Sequence, residues 1–289
     1  MRIAIFSTSY RQEIDAPLHQ TIDFLVKHGV DVLIEREFYD EIVSKCGYIN
    51  TCSPIDTPLL SADLAISIGG DGTFLTTAAA IGDKDIPILG INTGRLGFLA
   101  DVASEEIELA LHEILNGHYH IEERSVLQGT TSNQSGYGFP FALNEIAVLK
   151  QDLSSMIRIH TYINKEYIGS YQADGLIIAT PTGSTAYAMS VGGPIMVPQA
   201  QNLIIAPVAS HSLNVRPLII PDSWEIDLEV ESRSNSYLVS LDGRSQVMHE
   251  ETKLHVSKAK YTIKIVKPKQ HSFFATLKNK LMWGADKRN

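Results

Sequence analysis

The run Ile68-Gly69-Gly70-Asp71-Gly72-Thr73 closes the apolar segment Ala62-Asp63-Leu64-Ala65-Ile66-Ser67. The pattern predicts a buried strand, a glycine turn carrying one acid, and a helix starting near Thr73. Three glycines around one aspartate let another molecule come close to the backbone. The N–H groups of the following helical turn favour anions. Gly69, Gly70, Gly72 and Thr73 are therefore the expected phosphate region. A carboxylate beside a phosphate cradle is an odd choice for binding alone. It makes sense as a base that takes a proton from a hydroxyl attacking a phosphate, and Asp71 is the candidate. The bland alternative is a turn aspartate that caps the helix.

The surrounding pattern extends this plan. Arg2–Phe6, Asp31–Glu35, Asp63–Ile68 and Ile86–Ile91 read as strands, and Pro17–Gly29, Arg36–Cys46 and Thr73–Ile81 as helices. Alternation of this kind predicts a parallel sheet with helices on its faces and ligands at the C-terminal strand ends. Asn92-Thr93-Gly94 falls at such an end. After a helix at Glu105–Asn116 the period changes to two. Ile157, Ile159, Thr161 and Ile163 alternate with Arg158, His160 and Tyr162. Asn164-Lys165-Glu166 turns the chain, and Trp224, Ile226, Leu228 and Val230 alternate with acids. Tyr237–Leu241 and Tyr261–Val266 continue the theme. The fold class expected is an α/β N-terminal domain with a parallel sheet, plus a β-rich, antiparallel, sandwich-like C-terminal domain.

A second loop, Ala173-Asp174-Gly175-Leu176-Ile177-Ile178-Ala179-Thr180-Pro181-Thr182-Gly183-Ser184-Thr185-Ala186-Tyr187, repeats the plan of strand, glycine turn and small hydroxyl residues. Between the two loops lie Asn92-Thr93-Gly94-Arg95-Leu96-Gly97-Phe98-Leu99 and Asn144-Glu145. These four stretches, in this order, resemble the NAD kinase family from about Ile66 to Gly243. The glycine-serine loop is the most specific part. Gly-Gly-Asp-Gly alone also occurs in lipid kinases and phosphofructokinases.

The resemblance implies a kinase that moves the terminal phosphate of ATP to the 2′-hydroxyl of the adenosine ribose of NAD. It implies domains at 1–101 and 102–267, with 268–289 packing back on the first. It implies Asp71 as the base and Gly72 beside the dinucleotide. Asn144 and Glu145 would hold the adenosine and its ribose hydroxyls, and Asp174 the nicotinamide end. Thr185, Ala186, Tyr187, Ala188, Met189 and Ser190 would line the NAD site, with Ser155, Gln172 and Ala209 near it. Relatives form homodimers or homotetramers in which a neighbour completes the site. Two departures stand out. Thr76 occupies a place where many relatives carry Arg or His, and Arg244, where some carry Gln, would restore the missing charge near NAD.

Composition sets the outer limits. The 289 residues are 44% hydrophobic and 20% charged, enough for a sizeable core and two domains. A net charge of −9 argues against nucleic acid as a partner. It also requires nucleotide phosphates to be met locally, by N–H groups, a few cations and a divalent ion, Mg²⁺, carried with ATP. No apolar run approaches the ~20 residues that span a membrane. A lipid kinase should show an apolar entrance or a basic stretch, and neither is present. Cys46 and Cys52 fit no metal site, and the expected setting is the cytoplasm. His118 and His120 share one side of a strand and read as a surface pair, so no resident metal site is expected.

Overall fold

The computed structural model describes residues 1–46, 51–132, 139–152, 155–269 and 271–284. In chain order the elements are β1 (Arg2–Phe6), α1 (Gln12–Lys27), β2 (Asp31–Glu35), α2 (Arg36–Cys46), β3 (Ser53–Ile55), β4 (Leu64–Gly69), α3 (Asp71–Ile81) and β5 (Ile88–Asn92). Then follow β6 (Val102–Ala103), α4 (Ile107–Leu115), β7 (Tyr119–Thr131), β8 (Phe141–Ala142), β9 (Glu145–Lys150), β10 (Ile157–Ile163), β11 (Glu166–Ala173) and β12 (Gly175–Ala179). The remainder is α5 (Tyr187–Ser190), β13 (Asn202–Val208), β14 (Leu218–Pro221), β15 (Ile226–Glu231), β16 (Ser236–Leu241), β17 (Arg244–His249), β18 (Leu254–Pro268) and α6 (Phe273–Leu281). The chain divides into two units, Met1–Glu123 with Ile263–Asn289, and Arg124–Thr262.

In the first unit the strands run parallel in the order β3-β2-β1-β4-β5, with the end of β18 joining beside β5 at Ile265. β4 is buried along its whole length, as expected for a strand covered on both faces. Strand order reverses between β1 and β4, and sheets of this kind bind ligands at that point, beyond the carboxyl ends. Phe6-Ser7-Thr8 leaves β1 there and Gly69-Gly70-Asp71 leaves β4. The Ser7 hydroxyl donates to the Ile68 carbonyl at 2.8 Å, tying the two strand ends together. Helix α1 starts at Gln12, upstream of the expected Pro17, because Ile14 is buried in the same core as Leu18 and Ile22. Burial of Ile14 outweighs the hydrogen bond that Pro17 cannot make.

The tail returns to this unit. Lys267 and Asp101 form a buried ion pair at 2.6 Å, with His271 at 3.7 Å from the same carboxylate. Burial pushes the Asp101 carboxyl up, but Lys267 and His271 prevail and hold it below the usual range.

The second unit is antiparallel throughout its sheets. One sheet has the order β14-β13-β12-β9-β16-β17, and β11-β10-β15-β18 forms the other layer. Inward residues of both layers share one core, including Ile146, Val148, Leu176, Ile178, Ile159, Leu228 and Val256. The sandwich expected from alternation is thus present. Asn164 and Lys165 both have positive φ, the backbone of a tight hairpin between β10 and β11.

Candidate active site

Asp71 is the first residue of α3, behind an N-cap at Gly70. Its carboxylate does not cap its own helix. Oδ1 accepts the N–H groups of Leu99 at 2.9 Å and Ala100 at 3.1 Å, and Oδ2 accepts that of Phe98 at 3.0 Å. The Lys280 ammonium on α6 donates to Oδ2 at 3.2 Å. The loop that supplies the amides is shaped by Asn92, whose Oδ1 accepts from the Gly94 N–H at 2.7 Å. Gly97 admits Asp71, since a Cβ there would stand 2.0 Å from Oδ1. Gly69 has a φ of 151°, and a Cβ on it would strike Thr73. Gly70 and Gly72, by contrast, have no protein atom within 4 Å of a would-be Cβ. Packing does not require glycine at those two positions, whereas a ligand lying against the backbone would.

A cavity of about 410 Å³ opens at the β1–β4 switch, lined by Ser7, Thr8, Thr73 and Thr76 with Glu35 and Glu41. Glu37, Phe6 and Phe38 also line it, and Thr76 spends its hydroxyl on the Gly72 carbonyl at 3.2 Å.

Asn144 and Glu145 lie in the second unit, where β9 begins. Asp242, at positive φ, turns its carboxylate onto the N–H groups of Leu143 at 2.6 Å, Asn144 at 2.8 Å and Glu145 at 3.1 Å. The glycine-serine loop clasps the same turn. Thr180 N–H donates to the Asn144 carbonyl at 2.9 Å, and the Thr180 hydroxyl to the Leu143 carbonyl at 2.6 Å. The Gly183 Cα rests on Asn144, where a Cβ would come within 2.2 Å of the carbonyl oxygen.

This scaffold leaves two acceptors buried without a donor, Asn144 Oδ1 and Glu145 Oε2. Orphaned buried acceptors are uncommon and costly, by about 1–3 kcal/mol each. Burial, and then the Asp242 carboxylate, push the Glu145 carboxyl up to about 7, against the Tyr187 N–H that favours its charged form. Burial likewise raises Asp242 above the usual range despite its three amides.

The other expected residues fall into two groups. Thr185, Ala186, Tyr187, Met189 and Ser190 follow Gly183 in the same loop and helix α5, beside Glu145; Ala188 is fully buried in the core beneath them. Asp174, Gln172 and Ala209 stand at the opposite end of β12, since Gly175 pairs with Val208 while Ala179 pairs with Glu145. Asp174 is ion-paired with Lys150 at 2.7 Å, and the His211 N–H donates to the Gln172 carbonyl at 2.9 Å. Gln172 and Ser155 line one cavity of about 570 Å³, together with Arg158 and Arg233. Arg244 donates from Nη1 to the Phe139 carbonyl and from Nη2 to the Phe141 carbonyl and lies over the Phe139 ring.

Two functional candidates escaped the sequence reading. Asp242 was not among the residues expected at the site, although it follows a strand and precedes a glycine as Asp174 does. Lys280 had no local signal at all, being 209 residues from Asp71.

A parallel sheet with a glycine-acid loop at its switch point, in a chain whose β unit offers two orphaned acceptors on a clamped turn, is the arrangement of a nucleotide phosphotransferase. Comparison with known proteins makes this specific. The family model for the ATP-NAD kinase N-terminal domain matches residues 4–119, and that for the C-terminal domain matches 143–268. The chain is 52% identical over 289 residues to an NAD kinase of Bacteroides fragilis, covering all of both chains. It is 41% identical to one of Cytophaga hutchinsonii, again over the whole of both. The chain belongs to the NAD kinase family. Two solved structures share the fold. Yeast NADH kinase complexed with NADH has a TM-score of 0.90 at 21% identity, over 100% of this chain and 89% of that one. An Archaeoglobus fulgidus NAD kinase in complex with ATP has 0.77 at 24% identity, over 98% and 99%.

Proposed function

We propose that the family's reaction runs here on the 2′-hydroxyl of the adenosine ribose of NAD, with Asp71 as base and Asn144 and Glu145 as the ribose clamp. The observation that carries this reading is the pair of orphaned buried acceptors, Asn144 Oδ1 and Glu145 Oε2. A ribose diol brings two O–H donors, which is what two adjacent acceptors lack. The Asn144 amide keeps its N–H₂ for a ring nitrogen or a third oxygen. The reaction forms a bond from the ribose oxygen to the terminal phosphorus and breaks that phosphorus's bond to the leaving ADP. The hydroxyl proton passes to Asp71. Most of the acceleration in such transfers comes from positioning and charge stabilisation, and a placed base adds about 10²–10⁴-fold. Gly70 and Gly72 leave room for the phosphates to meet the first N–H groups of α3. A divalent cation, Mg²⁺, enters as part of the ATP substrate. The enzyme works in the cytoplasm.

The second group, around Asp174, Gln172, Ser155 and Ala209, serves the nicotinamide end. It is separated from Glu145 by β12, five residues long, or about 15 Å at the rise of a strand. We assign the two groups to one NAD through a homo-oligomer, each copy lending its Asp174 end to a neighbour. No helix is long and apolar enough to cross a membrane among the described residues.

Incubation with NAD, Mg²⁺ and ATP tests the activity. The reading expects a product that an NADP-specific dehydrogenase reduces, with one ADP per product. A phosphate placed on the 3′-hydroxyl or on the nicotinamide ribose would contradict it.

A further inference from the structure

An ionised carboxylate has two oxygens and about four acceptor positions. All four on Asp71 are filled, two on Oδ1 by Leu99 and Ala100 and two on Oδ2 by Phe98 and Lys280. A base in that condition has nowhere to receive a substrate hydroxyl. One donor must leave. Three of the donors are consecutive backbone amides of one loop, closed by the Gly97 N–H on the Ala100 carbonyl at 3.0 Å. Those amides orient Asp71 with or without a fourth partner, and removing one would unravel the loop. Lys280 is different. It sits at the end of α6 on a flexible stem, its side chain 32% exposed.

Helix α6 is itself anchored. Ser272 caps it by accepting the Ala275 N–H at 3.2 Å, Leu277 and Thr276 are buried, and Phe273 packs near Phe98 with ring centres 6.2 Å apart. The Lys280 amine also lies 4.8 Å from the centre of the Phe98 ring. A cation is therefore held at the base by a docked helix, yet bonded to it only through a displaceable side chain.

We infer that Lys280 is the exchangeable partner of Asp71 and supplies the positive charge of phosphoryl transfer. In the free enzyme its ammonium fills the fourth position on Asp71. When the acceptor hydroxyl arrives, Lys280 yields that position and its ammonium turns to the transferring phosphoryl group. The proton goes from the hydroxyl to Asp71, and Lys280 stays protonated throughout. This supplies positive charge at the base, where the Thr76 side chain carries none. The inference rests on Asp71 being the base.

The test uses the full-length enzyme. Lys280→Met is expected to lower kcat at least ~10-fold, the scale of losing one charged donor at a developing anion. NAD affinity by calorimetry should stay within about twofold, because Lys280 acts in transfer and not in holding the dinucleotide. Lys280→Arg should keep most of kcat. To separate charge from folding, Lys280→Cys treated with 2-bromoethylamine rebuilds an ammonium at this position and should recover turnover. Treated wild type controls for reaction at the exposed Cys46. The idea is overturned if Lys280→Met keeps kcat within twofold, if Arg and Met variants are equally impaired, or if aminoethylation recovers nothing. Asp71→Asn is assayed alongside. If Asp71→Asn turns over normally, the base assignment fails; if only the Lys280 variants do, this inference alone fails.

Discussion

Glu145 carries the sharpest conflict between stability and function in the molecule. Its carboxyl is raised from 4.5 to about 7, first by burial and then by Asp242. The folded state therefore holds a proton there that the unfolded chain has released, and stability falls as pH rises from about 4.5 to about 7. Above that window a penalty of up to about 3 kcal/mol persists, at 1.36 kcal/mol per unit. Glu145→Gln removes it. The variant should melt higher than the parent at pH 8 and show little difference at pH 5, while its NAD affinity falls by about 1–3 kcal/mol through the lost acceptor. An equal change in melting temperature at both pH values, or an unchanged NAD affinity, would contradict the assignment. The sequence reveals little of this by itself. Asn-Glu between strands is an ordinary turn, and only family resemblance singled it out. Nothing local shows that Asp242 folds onto its amides from 97 residues away. The charge of Arg244 was legible, but its destination on Phe139 and Phe141 depends on tertiary placement.

At the scale of elements, glycines divide into those the fold needs and those it does not. A Cβ at Gly183 would come within 2.2 Å of the Asn144 carbonyl oxygen and 2.6 Å of its carbon, both backbone atoms of a turn clamped by Asp242 and Thr180. Gly183→Ala should destabilise the protein by about 1–3 kcal/mol, the usual cost of overpacking, and weaken NAD binding with it. Gly72 faces open space inside α3. Gly72→Ala should leave the melting temperature unchanged or slightly raised, since alanine is the better helix residue by about 0.5–1 kcal/mol. It should nonetheless lower turnover at least ~10-fold if ligand lies against that backbone. Thermal melts and steady-state rates on both variants check this, and a Gly72→Ala enzyme with parental activity would show that no ligand approaches there. Elements themselves were largely legible. The buried run into Gly69 and the period of two from Ile157 to Ile163 both became strands. The start of α1 was misplaced because Pro17 suggests a helix start, whereas burial of Ile14 draws the helix five residues upstream to Gln12.

Across the whole molecule, the residues expected at one NAD are divided among three places. Asp71 belongs to the first unit, and Asn144 and Asp174 stand at opposite ends of β12 in the second. If neighbouring copies share sites, an enzyme carrying Glu145→Gln and one carrying Asp174→Asn should each be weak. Mixing them after reversible dissociation should regain activity, because some hybrid sites combine two intact halves. No gain on mixing would mean that each chain builds its site alone. The return of the tail was expected from the family resemblance alone; its anchor, Lys267 on Asp101, had no local signal, since the two lie 166 residues apart. The Gly-Gly-Asp-Gly loop was readable because its chemistry is written in consecutive residues. Replacement of Asp71 by asparagine tests the account most directly, because the amide keeps the shape and loses the base. Turnover of NAD with Mg²⁺ and ATP should fall about 10²-fold or more in the folded enzyme, with NAD affinity by calorimetry close to the parent's and a lower melting temperature, because the amide N–H₂ faces the Phe98 N–H. A fall of less than tenfold in a folded Asp71→Asn enzyme would contradict the claim that Asp71 takes the proton.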